Sequence, residues 1–484
     1  MPMRVACSCD MDGSMTPPSL KRVAAVVAAM AAFLAPFVGS AVNVALPAIS
    51  SEFALDAVSR YWVNIAFLVL AAVFLVPFGR IADLYGRKKV FAGGLLIYAL
   101  ASLLCGMAHS ASWLIGGRAL QGLGSAMIFG TGVAIVTSVF PPGERGQALG
   151  LNVAVTYLGL SLGPVLGGVL TQQLGWRSIF LAVALLGTAA LVLTVWKLRG
   201  EWAEGESARF DFVGAIIYGL TLVALMLGLS KLPALSGALS LAGSVAGLAI
   251  FVRWEVKVAN PILNLGLFRY NRIFAFSNLA ALINYSATFA VGVLLSQYLQ
   301  YIKGLTAQQA GVILLAQPAV MALCSWFTGW LSDRVEARVL ASAGMGVTTA
   351  GLALLASLSS HTALGFIICC LLLLGVGFAL FSSPNTNAVM GSVERRFYGV
   401  ASATLATMRS VGQTVSQGIV MLVFALALGE VAITPEVYTR FLAASRVAFG
   451  IFAVLCLGGV FASLARGNAR TDSTGDAYGD HSRR

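Results

Sequence analysis

The chain has 484 residues, 58% of them hydrophobic and only 10% charged, with a mean hydropathy of +0.88. Soluble domains carry about 25% charged residues, so this composition excludes a soluble enzyme or binding module and indicates a multi-span membrane protein. The 31 Lys+Arg against 19 Asp+Glu include no basic run on an otherwise polar segment; the excess reads as topology-setting loop charge, and no nucleic-acid partner is expected.

Residues 1–22 read as a polar N-terminal tail. Its Cys7 and Cys9 are too few for a zinc site while the three histidines lie far away. Cys105, Cys324, Cys369, Cys370 and Cys456 fall in apolar runs and read as small core residues. No cleavable signal is expected; the first span serves as its own insertion signal. Apolar runs near the ~20 residues that a helix needs to cross hydrocarbon predict fourteen spans: 23–48, 59–80, 89–108, 112–139, 146–171, 177–198, 210–229, 235–254, 272–296, 307–332, 338–358, 362–390, 398–429 and 439–465. The separator between the eleventh and twelfth is only Ser359, Ser360 and His361.

Lys and Arg concentrate in one set of loops: Arg87-Lys88-Lys89, Arg145, Lys197/Arg199/Arg209, Arg253/Lys257/Arg269/Arg272, Arg334/Arg338 and Arg395/Arg396. That skew predicts both termini on the cytoplasmic side of the plasma membrane, a bacterial inner membrane. The tail from 466 to 484 is polar and expected to be disordered.

The turn after span two, Gly79-Arg80-Ile81-Ala82-Asp83-Leu84-Tyr85-Gly86-Arg87-Lys88-Lys89, packs an acid, several bases and two glycines between apolar runs. A weaker copy, Gly329 to Arg338 with Asp333, follows span ten. The repeat suggests two similar halves, and its long period requires an inserted helix pair. The layout is then a six-helix bundle over 23–198, a linker with two extra spans over 199–271, and a second six-helix bundle over 272–465. If helix two continues far enough, Asp83 and Arg87 share a face. The turn then reads as a conformational latch formed by Gly79, Asp83, Gly86, Arg87, Lys88, Gly329, Asp333 and Arg338. The alternative is a solvated turn that only sets topology.

Arg118 and Gln121 lie inside span four, where an arginine faces a cavity or partner, or snorkels to the interface. Span five carries Gly159, Gly163, Pro164, Gly167 and Gly168. The glycines form a smooth stripe expected to meet a helix of the other half, and Pro164 permits a bend. The stripe serves either packing alone or a hinge.

These three motifs, in this order on spans two, four and five, resemble the major facilitator superfamily. Asn43-Val44-Ala45-Leu46-Pro47, Phe210-Asp211-Phe212-Val213-Gly214 and Ser383-Pro384-Asn385 are similar to its fourteen-helix drug–proton antiporter branch. The resemblance implies an all-α polytopic fold, with two six-helix bundles around a central cavity, and alternating access. It also implies export of small molecules driven by proton uptake. No cofactor is expected.

One departure stands out. Val38 occupies a position where that branch carries an aspartate, and no Asp or Glu falls within the middle of a predicted span. Cavity candidates are therefore neutral or basic: Asn43, Arg118, Gln121, Asn284, Tyr285, Asn385, Arg409 and Gln413, though some of the amides bond neighbouring helices instead. Two deep arginines without an acid favour a hydrophobic or anionic substrate. The expected protein is a monomeric efflux transporter in the lipid bilayer, coupled to protons. A non-transporting membrane sensor or structural protein, or an organic-anion transporter with other coupling, are the alternatives. An enzyme is not expected: there is no Walker loop, no metal-ligand cluster and no carboxylate pair within the membrane.

Overall fold

The computed structural model describes residues 18–140, 142–201, 210–232, 234–258, 261–263, 265–332, 334–393, 398–429 and 431–467. Among them are fourteen helices long and apolar enough to cross a membrane. In chain order, spans 1 to 14 are Ser19–Glu52, Ser59–Ala82, Arg87–Gly106, Ala111–Val139, Ala154–Gln173, Arg177–Lys197, Phe212–Leu229, Leu235–Glu255, Arg272–Ile302, Ala307–Cys324, Ala337–Leu355, Leu364–Gly391, Val400–Ala427 and Pro435–Leu464. Each overlaps a sequence-predicted span. The short separator between spans 11 and 12 holds as a turn, with the Ser359 N–H donating to Thr362 Oγ1 at 2.8 Å.

Several spans begin on a side chain that accepts an otherwise unmet backbone N–H. Ser110 receives Trp113 N–H at 3.3 Å, Asp211 receives Gly214 N–H at 2.9 Å, and Asn271 receives Phe274 N–H at 2.9 Å. Thr306 and Gln309 form a reciprocal capping box at the start of span 10.

The pairing of helices repeats. Span 1 packs on 5 and 6, span 2 on 4, and span 3 on 4 and 6. In the same pattern, span 9 packs on 13 and 14, span 10 on 12, and span 11 on 12 and 14. Spans 1–6 and 9–14 are thus two six-helix bundles. Spans 7 and 8 pack on each other, and span 7 also touches spans 2 and 13. The accessory pair therefore leans on both bundles from outside.

The bundles interlock at the face opposite the 83–89 turn. Ala57 N–H donates to Val431 O at 2.9 Å, and Tyr61 OH donates to Gln297 Oε1 at 3.1 Å. Gln300 Nε2 donates to Val44 O at 3.0 Å. Arg60 is 1% exposed and reaches Tyr301 OH at 3.1 Å from the other bundle. The molecule is closed on this face.

Candidate functional site

Arg409 stands about three turns into span 13. Its Nη2 donates to Thr386 Oγ1 of span 12 at 2.8 Å, and its guanidinium lies 5.6 Å from the ring centre of Tyr285 on span 9. The Tyr285 ring meets Phe378 edge-on, with centroids 5.5 Å apart. From the first bundle, Tyr157 of span 5 stands beside Ser382 of span 12, in the field of Tyr285 and Arg409. One basic group and three aromatic rings, contributed by both bundles, thus meet between them. Arg409 Nε is without a partner. Among the described residues no carboxylate pairs with this guanidinium, so it can receive an anionic group in bidentate fashion.

The other sequence candidates divide. Gln413 is half-buried one turn beyond Arg409 on the same helix face. Asn284 is wholly buried beside Tyr285, and neither atom of its amide has a partner. Asn385 ties span 12 to span 9 by donating to Ser277 O at 3.1 Å. Asn43 accepts from Asn64 Nδ2 at 2.9 Å and faces Gly292 of span 9.

Arg118 and Gln121 do not face the space between the bundles. Arg118 is 1% exposed, donates to Val63 O at 3.0 Å and to Gln121 Oε1, and lies 4.4 Å from the Phe67 ring centre. Gln121 Nε2 continues the chain to Ser102 Oγ at 2.7 Å. The arginine neither snorkels nor lines a cavity; backbone and side-chain acceptors and an aromatic face satisfy it inside the first bundle.

The span-five stripe is also corrected. Gly159, Gly163 and Gly167 lie against Phe33, Phe37, Ser40 and Ala41 of span 1, within the same bundle. Contact with the other half comes from the neighbouring edge. A methyl on Gly168 would lie 2.6 Å from Ala307 O, and one on Gly311 would lie 2.0 Å from Pro164 O. Backbones approach this closely where a glycine on one side leaves out the side chain.

At the 83–89 turn the helix ends at Tyr85, and Gly86 takes φ +113°. Arg87 opens the next helix, so Asp83 and Arg87 do not share a helix face. Arg87 Nη1 instead donates to Ser138 Oγ at the end of span 4, at 2.9 Å. Gly79 meets Gly130 of span 4 at the crossing of those helices. The Lys88 N–H donates to Glu201 Oε1 at 2.9 Å. Glu201, from the exit of span 6, thus caps span 3 and holds an anion at its positive end. Neither Glu201 nor Tyr157 is a sequence candidate; a carboxylate just beyond a span and a tyrosine beside the glycine stripe are the only traces they leave. In the downstream copy, Arg338 lies 3.5 Å from Glu336. The side chain of Asp83, the surroundings of Gly329, and Asp333, Arg395, Arg396, Cys7 and Cys9 lie outside the described residues.

Two pseudo-equivalent bundles, a polar site between them and a closed face define a membrane transporter that works by rearranging its halves. The chain belongs to the Major Facilitator Superfamily, whose family model matches residues 28–417. It is 28% identical over 443 residues to the riboflavin transporter RibZ of Clostridioides difficile (strain 630), covering 91% of this chain and 96% of that one. Identity to the cephamycin export protein CmcT of Amycolatopsis lactamdurans is 32% over 413 residues, covering 83% and 84%. The solved structure of a bacterial homolog of the human lysosomal transporter Spinster shares the fold, with a TM-score of 0.69 at 16% identity, over 93% of this chain and 97% of that one. Transport, not catalysis, is the function of this multi-pass membrane protein.

Proposed function

We propose that the protein exports hydrophobic or anionic small molecules by alternating access, taking them up from the basic, cytoplasmic face of a bacterial inner membrane and working as a monomer driven by protons. The observation that carries the substrate reading is Arg409, a guanidinium without a carboxylate, set among Tyr157, Tyr285 and Phe378. Aromatic walls favour flat apolar rings, and the charge favours an acidic substituent and repels cations in a low-dielectric site. Relatives named for riboflavin transport and cephamycin export fit ring-bearing substrates, and the export names fit the outward direction. The interlock at Arg60–Tyr301 and the Gly311–Pro164 crossing is the gate of the outer face; it opens when the basic face closes.

Everted membrane vesicles, with the basic face outward, test direction and charge together. Energised vesicles are expected to accumulate a fluorescent aromatic carboxylate, and Arg409→Gln to abolish accumulation. Equal accumulation in that variant, or preference for a quaternary ammonium dye, would overturn the substrate reading.

A further inference from the structure

The accessory pair holds two carboxylates that the central site does not use. Asp211 caps span 7, and its oxygens also receive Trp254 Nε1 of span 8 at 3.0 and 3.2 Å. Glu255, the next residue, is 3% exposed. Its Oε2 accepts the Leu263 N–H at 3.0 Å, while Oε1 is buried without a partner. A methyl on Gly214 would lie 2.3 Å from Asp211 Oδ2 and 2.9 Å from Glu255 Oε1, so the two oxygens converge on one space.

A buried carboxylate facing a second, half-buried one is repelled by it when both are ionised. One proton removes the repulsion and supplies the donor that Oε1 lacks. No cation among the described residues offsets the charge. Arg253 and Lys257 flank Glu255 in sequence but are exposed. Span 8 packs on span 7, whose Asp211 is the titratable group in the field of Glu255. The segment that caps Oε2, residues 261–263, is Pro-Ile-Leu.

The place has leverage. Tyr218 OH of span 7 donates to Ala72 O of span 2 at 3.1 Å, and Gly418 of span 13 lies against Leu229 and Met226 of span 7. Span 7 therefore touches both moving bundles.

We propose that Glu255 holds a proton facing Asp211, and that this proton closes a clasp at the basic end of the accessory pair. With the proton bound, Glu255 Oε1 becomes a donor facing the Asp211 carboxylate across the space beside Gly214. When the proton leaves to water, Glu255 is anionic beside Asp211 and the ends of spans 7 and 8 part. The proposal stands on the accessory pair alone, and its test requires no transport.

Infrared difference spectra of the purified full-length protein in lipid nanodiscs, taken across a pH titration, read the carboxyl band directly. The wild type is expected to show a protonated-carboxyl band that is missing from Glu255→Gln. That variant keeps an acceptor for Leu263 N–H and gains a donor toward Asp211, so it folds. Asp211→Asn is expected to move the titration of this band to lower pH, because the repelling charge is gone. A band that persists unchanged in Glu255→Gln, or a titration that Asp211→Asn leaves in place, would overturn the clasp.

Discussion

Gly311→Ala puts a methyl where the structure has no room. The added carbon would lie 2.0 Å from Pro164 O and 2.7 Å from Pro164 C, both backbone atoms, whereas ordinary contact begins near 3.4 Å. Span 10 must therefore retreat from span 5 by more than an ångström at the crossing that holds the outer face shut. Overpacking of this kind costs about 1–3 kcal/mol. If the open state has no such contact, the closed state alone is penalised, and its population relative to the open state falls ~5- to 150-fold. Spin labels at His109 and His361, exposed turns of the two bundles on that face, report the opening as a longer distance. Gly292→Ala is the control. It lies between the same bundles, but its methyl would sit 3.7 Å from Asn43 Nδ2, in ordinary contact. An unchanged distance distribution in Gly311→Ala, with wild-type transport, would refute the assignment of this crossing as a gate.

Glu201→Gln weakens the anion at the start of span 3, worth about 0.3–1 kcal/mol, and is expected to slow transport severalfold in vesicle uptake while membrane insertion is unchanged. Arg118→Gln is expected to lower the melting temperature without altering the preference between anionic and cationic substrates, whereas Arg409→Gln should do the reverse; substrate-competition and melting curves separate the two. Asp56 accepts the N–H groups of Val58 and Ser59, each at 2.7 Å, beneath Arg60. Burial pushes its carboxyl up, but bonds from the Ser59 side chain and from the Ser59 and Val58 backbone outweigh this and hold it below the usual range. Its folded value lies below the unfolded one, near 3.9, so its stabilisation is present above that pH and lost as pH falls through the folded value. Asp56→Asn should lower the melting temperature at neutral pH, and the deficit should vanish in acid.

The spans were legible because hydrocarbon imposes a length and a composition on any helix that crosses it. Even the three-residue separator at Ser359–His361 sufficed, since Leu364–Gly391 and Ala337–Leu355 are each complete spans. The duplication was legible from the repeated acidic-basic turn. Which way a polar residue points was not. Arg118 and Arg409 look alike in sequence, each an arginine inside a predicted span, but helix rotation buries one within a bundle and turns the other toward its partner. Polar residues near Arg409, such as Thr407, Ser410 and Gln413, mark a polar stretch but not which helix it meets, and around Arg118 apolar neighbours give no direction. The Gly159–Gly167 stripe was recognisable as a close contact, while its partner, span 1 or a helix of the other half, depends on tertiary arrangement. Glu201 lies 113 positions from Lys88, and no local pattern connects them.

Purified protein in liposomes loaded with a pH-sensitive dye tests the central claim most directly. On addition of an aromatic carboxylate to the basic face, proton movement opposite to the substrate is predicted, saturable and lost in Arg409→Gln, with little response to a quaternary ammonium dye. Substrate movement without proton movement would contradict the coupling, and a cation response independent of Arg409 would contradict the site.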